Sequence, residues 1–122
     1  MSKRILVVDD DPDIRQVLLD RLASHGYSVQ AVANGVEALD ALRGTAYDGM
    51  LLDIRMPDLD GLKVLPHVRK SHPRMTVVMM TTPETQWHAV QAMREGAQAF
   101  LLKPFDSKQL EQVIVRWFGP AA

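Results

Sequence analysis

Short apolar runs alternate along the chain with longer stretches in which apolar residues recur every three or four positions. The first run, Ile5-Leu6-Val7-Val8, is continuous and rich in branched side chains, which is typical of a strand buried on both faces. We predict four further strands at residues 29–32, 50–53, 75–80 and 100–102. The pattern therefore predicts five strands separated by amphipathic segments.

The segments between and after these runs predict five helices, most of them bounded by Pro, Asn or Gly. They begin near Pro12, Gly35, Gly61, Glu84 and Ser107. The side chains that we expect to face the core are Ile14, Val17, Leu18 and Leu22, then Val36, Leu39 and Leu42, then Leu62, Leu65 and Val68, then Val90 and Met93, and finally Leu110, Val113, Ile114 and Trp117. Pro66 lies inside the third helix and predicts a kink there, because proline removes a backbone donor.

Strict alternation of strands and helices predicts an α/β fold with one open, parallel, five-stranded sheet. Right-handed crossovers between neighbouring strands place the helices on both faces of that sheet. The 122 residues suit one domain, which we assign to residues 1–122.

Composition excludes several classes of protein. A formal net charge of −1 gives no global reason to expect binding to nucleic acid or to a membrane. The absence of cysteine excludes disulfides and thiolate metal sites. The apolar run after Arg4 is too short for a signal peptide or a membrane span, and we expect a cytoplasmic protein.

Chemically active side chains follow four of the predicted strands. Asp9 and Asp10 come after the first strand, Asp53 ends the third, Thr81 follows the fourth and Lys103 follows the fifth. Because ligands of open parallel sheets bind at the carboxyl ends of the strands, we expect these side chains to converge at one edge.

Clustered carboxylates repel one another unless a cation neutralises them. Carboxylate oxygens suit Mg²⁺, which keeps water and phosphate oxygens as its other ligands. A carboxylate oxygen is also a nucleophile that can form an acyl phosphate, with a lysine supplying positive charge. The sequence therefore predicts a Mg²⁺-assisted phosphoryl-transfer site.

The pieces of sequence that carry this site resemble the response-regulator receiver family of two-component signalling. They are Ile5-Leu-Val-Val-Asp-Asp-Asp11, Leu52-Asp-Ile-Arg-Met-Pro-Asp-Leu-Asp-Gly61, Thr81-Thr82 and Lys103-Pro-Phe105. The resemblance extends from about Lys3 to Phe118 and implies a flavodoxin-like sheet with strand order 2-1-3-4-5.

The resemblance implies a role for each residue of the site. Asp53 is the phosphoacceptor, and Mg²⁺ is held by Asp9, Asp10, Asp53 and the backbone carbonyl of Arg55. Thr81 and Lys103 contact the phosphoryl group, and the Lys103–Pro104 peptide is cis. Thr81 couples to Phe100, where many members have Tyr, so any rotameric switching here is steric.

The resemblance also implies partners. A histidine kinase or phosphotransfer protein donates the phosphoryl group, and an effector protein binds the face made by helix 4, strand 5 and helix 5. A homodimer through the same face is left open, as is whether the chain stands alone or is part of a longer regulator.

Two other functions are weighed against this phosphorylation switch. A phosphatase of the haloacid-dehalogenase type is disfavoured because the chain is short for that family, so we expect no turnover enzyme. A binding module that has lost the switch stays open because Thr82, Pro83 and Phe100 are unusual at their positions.

Several residues have simpler structural interpretations. Asp11 is expected to cap the first helix, and Thr82, rather than Thr81, to cap the fourth. Phe100 is expected to be partly buried. Trp87 is interpreted either as an exposed partner contact or as local packing. The four histidines have no metal-binding spacing and are expected at the surface: His25, His67, His72 and His88.

Overall fold

The computed structural model describes residues 2–56 and 59–122. Its five strands form one parallel sheet of order β2-β1-β3-β4-β5, as the resemblance implied. The strands are β1 (Arg4–Val8), β2 (Ser28–Val32), β3 (Gly49–Asp53), β4 (Thr76–Thr81) and β5 (Ala99–Leu102). The helices are α1 (Pro12–Ser24), α2 (Gly35–Gly44), α3 (Gly61–Ser71), α4 (Gln86–Arg94) and α5 (Ser107–Val113).

Two apolar cores lie on opposite faces of the sheet, because neighbouring side chains of a strand point to opposite sides. Leu6 and Val8 of β1 belong to the core under α2, α3 and α4, whereas Ile5 and Val7 belong to the core under α1 and α5. All four are fully buried, which confirms that β1 is covered on both faces.

The helix ends are capped by the side chains that precede them. Asp11 accepts a hydrogen bond from the amide of Asp13, as expected, and Asn34 and Asp60 cap α2 and α3 in the same way. α3 continues through Pro66, which is exposed on its outer face. α5 is extended by a π-helical turn over Ile114–Phe118.

The buried face of α4 differs from the prediction. Val90 is 57% exposed and Met93 is 41% exposed, whereas Ala89 and Ala92 are buried. The buried stripe of α4 is thus shifted by one residue, about 100° around the helix, from the stripe that Val90 and Met93 predicted. Two other residues predicted to face the core, Val17 of α1 and Val36 of α2, are also about half exposed.

Over the described residues, no helix has both the length and the apolar content needed to cross a membrane.

Candidate phosphoryl-transfer site

The predicted site residues do converge at the carboxyl ends of the strands. β1, β3 and β4 are adjacent in the sheet, so Asp9, Asp53 and Thr81 lie side by side at its edge. Lys103 follows β5, and its amide donates to the carbonyl of Thr81 at 2.6 Å. A cleft of about 580 Å³ opens at this edge, and Asp10, Asp53 and Lys103 are among its walls.

Asp9 is fully buried, and both of its carboxylate oxygens accept hydrogen bonds. Oδ1 accepts from the amide of Asp11 at 2.9 Å, and Oδ2 accepts from Nζ of Lys103 at 2.6 Å. The guanidinium of Arg15 donates to the backbone carbonyl of Asp9 at 2.8 Å. Asp9 is thus held in a fixed orientation by the start of α1 and by Lys103.

Asp53 is held in a similar way but more loosely. Its Oδ1 accepts from the amide of Arg55 at 3.2 Å, and its Oδ2 accepts from Nζ of Lys103 at 3.3 Å. Burial raises the pKa of Asp53 from 3.8 to about 6, a rise that Lys103 opposes and the charge of Asp9 reinforces. The carboxylate of Asp53 is therefore basic for an aspartate, and we regard this as favourable for a nucleophile.

Lys103 bridges the two buried carboxylates. Burial alone would lower the pKa of Lys103, but its hydrogen bond to Asp9 and the charges of Asp53 and Asp9 raise that pKa above its usual value. The ammonium is therefore charged at neutral pH. The Lys103–Pro104 peptide is cis, as the resemblance implied.

Three carboxylates at this edge could hold a divalent cation. Asp9, Asp10 and Asp53 can each offer one oxygen, and these oxygens lie within 4.8 Å of one another. All three donors are hard oxygens, and exposed Asp10 leaves one side open to water and to a phosphate. The set fits Mg²⁺ by its donor chemistry. Arg55 follows β3 directly, and the role of its carbonyl as a further ligand stays a prediction.

The hydroxyl of Thr81 is engaged within the turn that follows β4. It donates to the carbonyl of Thr82 at 3.2 Å and contacts the hydroxyl of Thr85 at 2.8 Å. Thr82 occupies the cap position of a 3₁₀ turn over Pro83–Thr85 that leads into α4, which agrees with the prediction. The prediction missed Thr85, whose hydroxyl accepts from the amide of Thr82 in the place that Glu or Gln usually takes in a capping box.

The loop between β3 and α3 depends on close approach of two backbones. The amide of Gly61 donates to the carbonyl of Ile54 at 2.8 Å. A Cβ atom at position 61 would collide with the backbone carbonyl of Asp53. Gly61 therefore lets α3 begin directly beside Asp53. Pro57 and Asp58, which the predicted motif also contains, lie outside the described residues.

The aromatic residues and histidines singled out from the sequence differ in how exposed they are. Phe100 is 41% exposed, so its ring is less buried than expected, and Trp87 is 68% exposed, which disfavours local packing. The ring of Trp87 lies against that of His88, with centroids 3.6 Å apart and planes tilted by 35°. His25 and His67 are exposed, as expected, and His72 and His88 are partly exposed.

The family model described as the response regulator receiver domain matches residues 5–115. The chain is 40% identical over 112 residues, 92% of its length, to the DNA-binding transcriptional regulator NtrC of Escherichia coli K12. It spans between 24% and 49% of the length of the curated relatives that it matches.

Solved structures of receiver domains also superpose on this chain. The receiver domain of NtrX from Brucella abortus superposes with a TM-score of 0.87 at 37% identity, over 92% of this chain and 95% of that one. The receiver domain of the sensor histidine kinase PA1611 from Pseudomonas aeruginosa, which has a magnesium ion coordinated in its active-site cleft, superposes with a TM-score of 0.85 at 30% identity, over 98% and 99% of the two chains.

Proposed function

The chain belongs to the response regulator receiver domain family, and on that premise we propose that Asp53 accepts a phosphoryl group in a Mg²⁺-assisted reaction. The observation that carries the proposal is the convergence of Asp53 with Asp9, Asp10 and Lys103 at one edge of the sheet. Three acids and one ammonium there suit phosphoryl transfer, which needs mainly positioning and neutralisation of charge.

A histidine kinase or phosphotransfer protein is the proposed donor. A carboxylate oxygen of Asp53 attacks the phosphorus, the phosphorus–nitrogen bond of the donor's phosphohistidine breaks, and the electron pair stays on the imidazole. Lys103 lies 3.3 Å from Asp53, so its ammonium is close enough to meet a phosphoryl oxygen after a small movement.

Asp9, Asp10 and Asp53 would hold Mg²⁺, with the Arg55 carbonyl as a further ligand. The bound ion would neutralise charge on the carboxylates and on the phosphoryl oxygens. The magnesium ion in the PA1611 receiver domain supports this choice of metal. Thr81 would donate a hydrogen bond to the phosphoryl group.

The proposed output surface consists of α4, β5 and α5. Its exposed apolar residues are Trp87, Val90, Met93, Phe100 and Leu102. Phe100 pairs in the sheet with Met79, whose side chain belongs to the core under α4, so Phe100 points to the α4 side of the sheet. Exposed apolar side chains grouped in this way favour a protein partner, either an effector or a second copy of the chain.

The chain acts, on this proposal, as a cytoplasmic phosphoacceptor that assists its own phosphorylation and dephosphorylation rather than as a turnover enzyme. Steady hydrolysis of a generic phosphate ester over many turnovers would contradict this part of the proposal.

Incubation with acetyl phosphate and Mg²⁺ tests the proposal directly. We expect the mass of the intact protein to increase by one phosphoryl group, and Asp53→Asn to abolish the increase. Asp20→Asn, which removes an exposed acid of α1, is the matched control and should be modified like the native chain. Modification of Asp53→Asn, or of the native chain in excess chelator, would refute the proposal.

A further inference from the structure

Thr85 is a buried hydroxyl at the centre of the turn between β4 and α4. Thr81 and Thr85 are 1% and 6% exposed, and their hydroxyl oxygens lie 2.8 Å apart. The Oγ1 atom of Thr85 also accepts from the amide of Thr82 at 3.1 Å. Thr85 thus ties the residue after β4 to the residue that ends it.

The hydroxyls of this turn bond to one another and to the backbone of Thr82. A hydroxyl has one proton to donate and two lone pairs that accept. Thr82 donates its amide proton to Thr85, and Thr81 donates its hydroxyl proton to the carbonyl of Thr82 at 3.2 Å. The hydroxyl of Thr85 has two acceptors within reach, Oγ1 of Thr81 at 2.8 Å and the carbonyl of Thr82 at 3.4 Å, and it also contacts the hydroxyl of Thr82 at 3.2 Å. The Thr81 hydroxyl is thus held between the Thr82 carbonyl and Thr85.

In the part of the chain that the structure describes, groups other than Thr81 donate to the Asp53 carboxylate. Among the described residues, the hydrogen bonds to the Asp53 carboxylate come from the amide of Arg55 and from Lys103. The hydroxyl of Thr81 is instead committed to Thr82 and Thr85. Before it could donate to a phosphoryl oxygen, Thr81 would have to give up its bond to the Thr82 carbonyl.

We propose that Thr85 is a positioning residue that holds the Thr81 hydroxyl in the turn after β4 and so lowers the affinity of the unmodified site for a phosphoryl group. The proposal rests on the proposed function, because it assumes that Thr81 serves a phosphoryl group on Asp53. It predicts that loss of the Thr85 hydroxyl makes Thr81 easier to recruit.

Calorimetric titration of the full chain with beryllofluoride, a mimic of the phosphoryl group, in the presence of Mg²⁺ tests this inference. We expect Thr85→Val, which keeps the shape but lacks the hydroxyl, to bind about two- to twelve-fold more tightly, the factor that one net hydrogen bond represents. Thr85→Ser keeps the hydroxyl and should bind like the native chain. Thr85→Ala provides the same comparison if Thr85→Val does not fold.

The Thr81→Ala chain, used as a second background, distinguishes positioning of the Thr81 hydroxyl from a general loosening of the turn. In a Thr81→Ala chain the hydroxyl to be held is missing, so adding Thr85→Val should leave the beryllofluoride affinity unchanged. The control Thr76→Val, at the opposite end of β4, should have no effect in either background.

The inference would be overturned if Thr85→Val bound beryllofluoride more weakly than the native chain, or if Thr85→Val and Thr85→Ser had equal effects. It would also be overturned if the effect of Thr85→Val persisted in the Thr81→Ala chain. A native chain that does not bind beryllofluoride at all would instead refute the proposed function, so the two failures are distinct.

Discussion

The Nζ atom of Lys103 lies 2.6 Å from Oδ2 of Asp9, and the carboxylate of Asp9 is fully buried. Removing one partner of a buried ion pair leaves an uncompensated charge and typically costs 3 kcal/mol or more. We expect Lys103→Met to lower the free energy of unfolding at neutral pH by about 3 kcal/mol, as measured by urea denaturation without Mg²⁺.

Added Mg²⁺ should restore much of that loss, because the ion binds the folded acids and supplies the missing positive charge. The matched control is Lys108→Met, which removes an exposed lysine of α5 and should change stability by less than about 0.5 kcal/mol. A Lys103→Met chain that is as stable as the native one would show that the ion pair does not stabilise the fold.

The raised pKa of Asp53 predicts a dependence of stability on pH. Its pKa is 3.8 when the chain is unfolded and about 6 when it is folded, so the folded state binds the extra proton between these values. Stability contributed by Asp53 is therefore greatest below pH 4 and is lost as the pH rises through 6.

Asp53→Asn should remove this penalty. We expect the substitution to raise the free energy of unfolding by up to about 3 kcal/mol at pH 7.5, and to have little effect at pH 4. Denaturation curves of both chains at the two pH values measure the difference. A gain of equal size at both pH values would mean that the charge of Asp53 is not its cause.

The strands themselves and the edge at which the site forms were predictable, because buried runs and acids at strand ends are local features of the sequence. The order of the strands in the sheet came from the family resemblance. Asp9, Asp53 and Lys103 meet as predicted for this reason. The role of Thr85 was not apparent, because its neighbours in sequence suggest only a helix cap. Its contact with Thr81 depends on how tightly the chain turns after β4.

The buried face of α4 was predicted wrongly for a different reason. Hydrophobicity favours Val90 and Met93 as core residues, but the distance between a helix and its sheet decides which side chains fit between them. The buried side chains of α4 are those of Ala89 and Ala92. The sequence pattern carries no direct information about that distance.

The orientation of α4 can be checked by substitutions at adjacent positions. Ala89 is 1% exposed against the sheet, so Ala89→Leu should overpack the core and reduce stability by about 1–3 kcal/mol. Val90→Ala removes an exposed side chain and should change stability by less than about 0.5 kcal/mol. Thermal unfolding followed by circular dichroism distinguishes the two, and the reverse order of effects would restore the face predicted from the sequence.

Substitution of Gly61 tests the close packing of the backbone around Asp53. A methyl group at this position has no space, because the backbone carbonyl of Asp53 and the Cα atom of Ile54 lie where it would project. Backbone cannot move aside as a flexible side chain can, so Gly61→Ala should push the start of α3 away from β3. We expect a loss of about 1–3 kcal/mol in the free energy of unfolding, and slower modification by acetyl phosphate.

Gly44, the last residue of α2, is the matched control because a Cβ atom there meets nothing within 4 Å. Gly44→Ala should raise stability by about 0.5–1 kcal/mol, since alanine restricts the unfolded chain and favours helix. The two substitutions add the same methyl group, so opposite signs would isolate the close contact between Gly61 and Asp53 as the cause. A Gly61→Ala chain as stable as Gly44→Ala would mean that α3 does not begin against the backbone of Asp53.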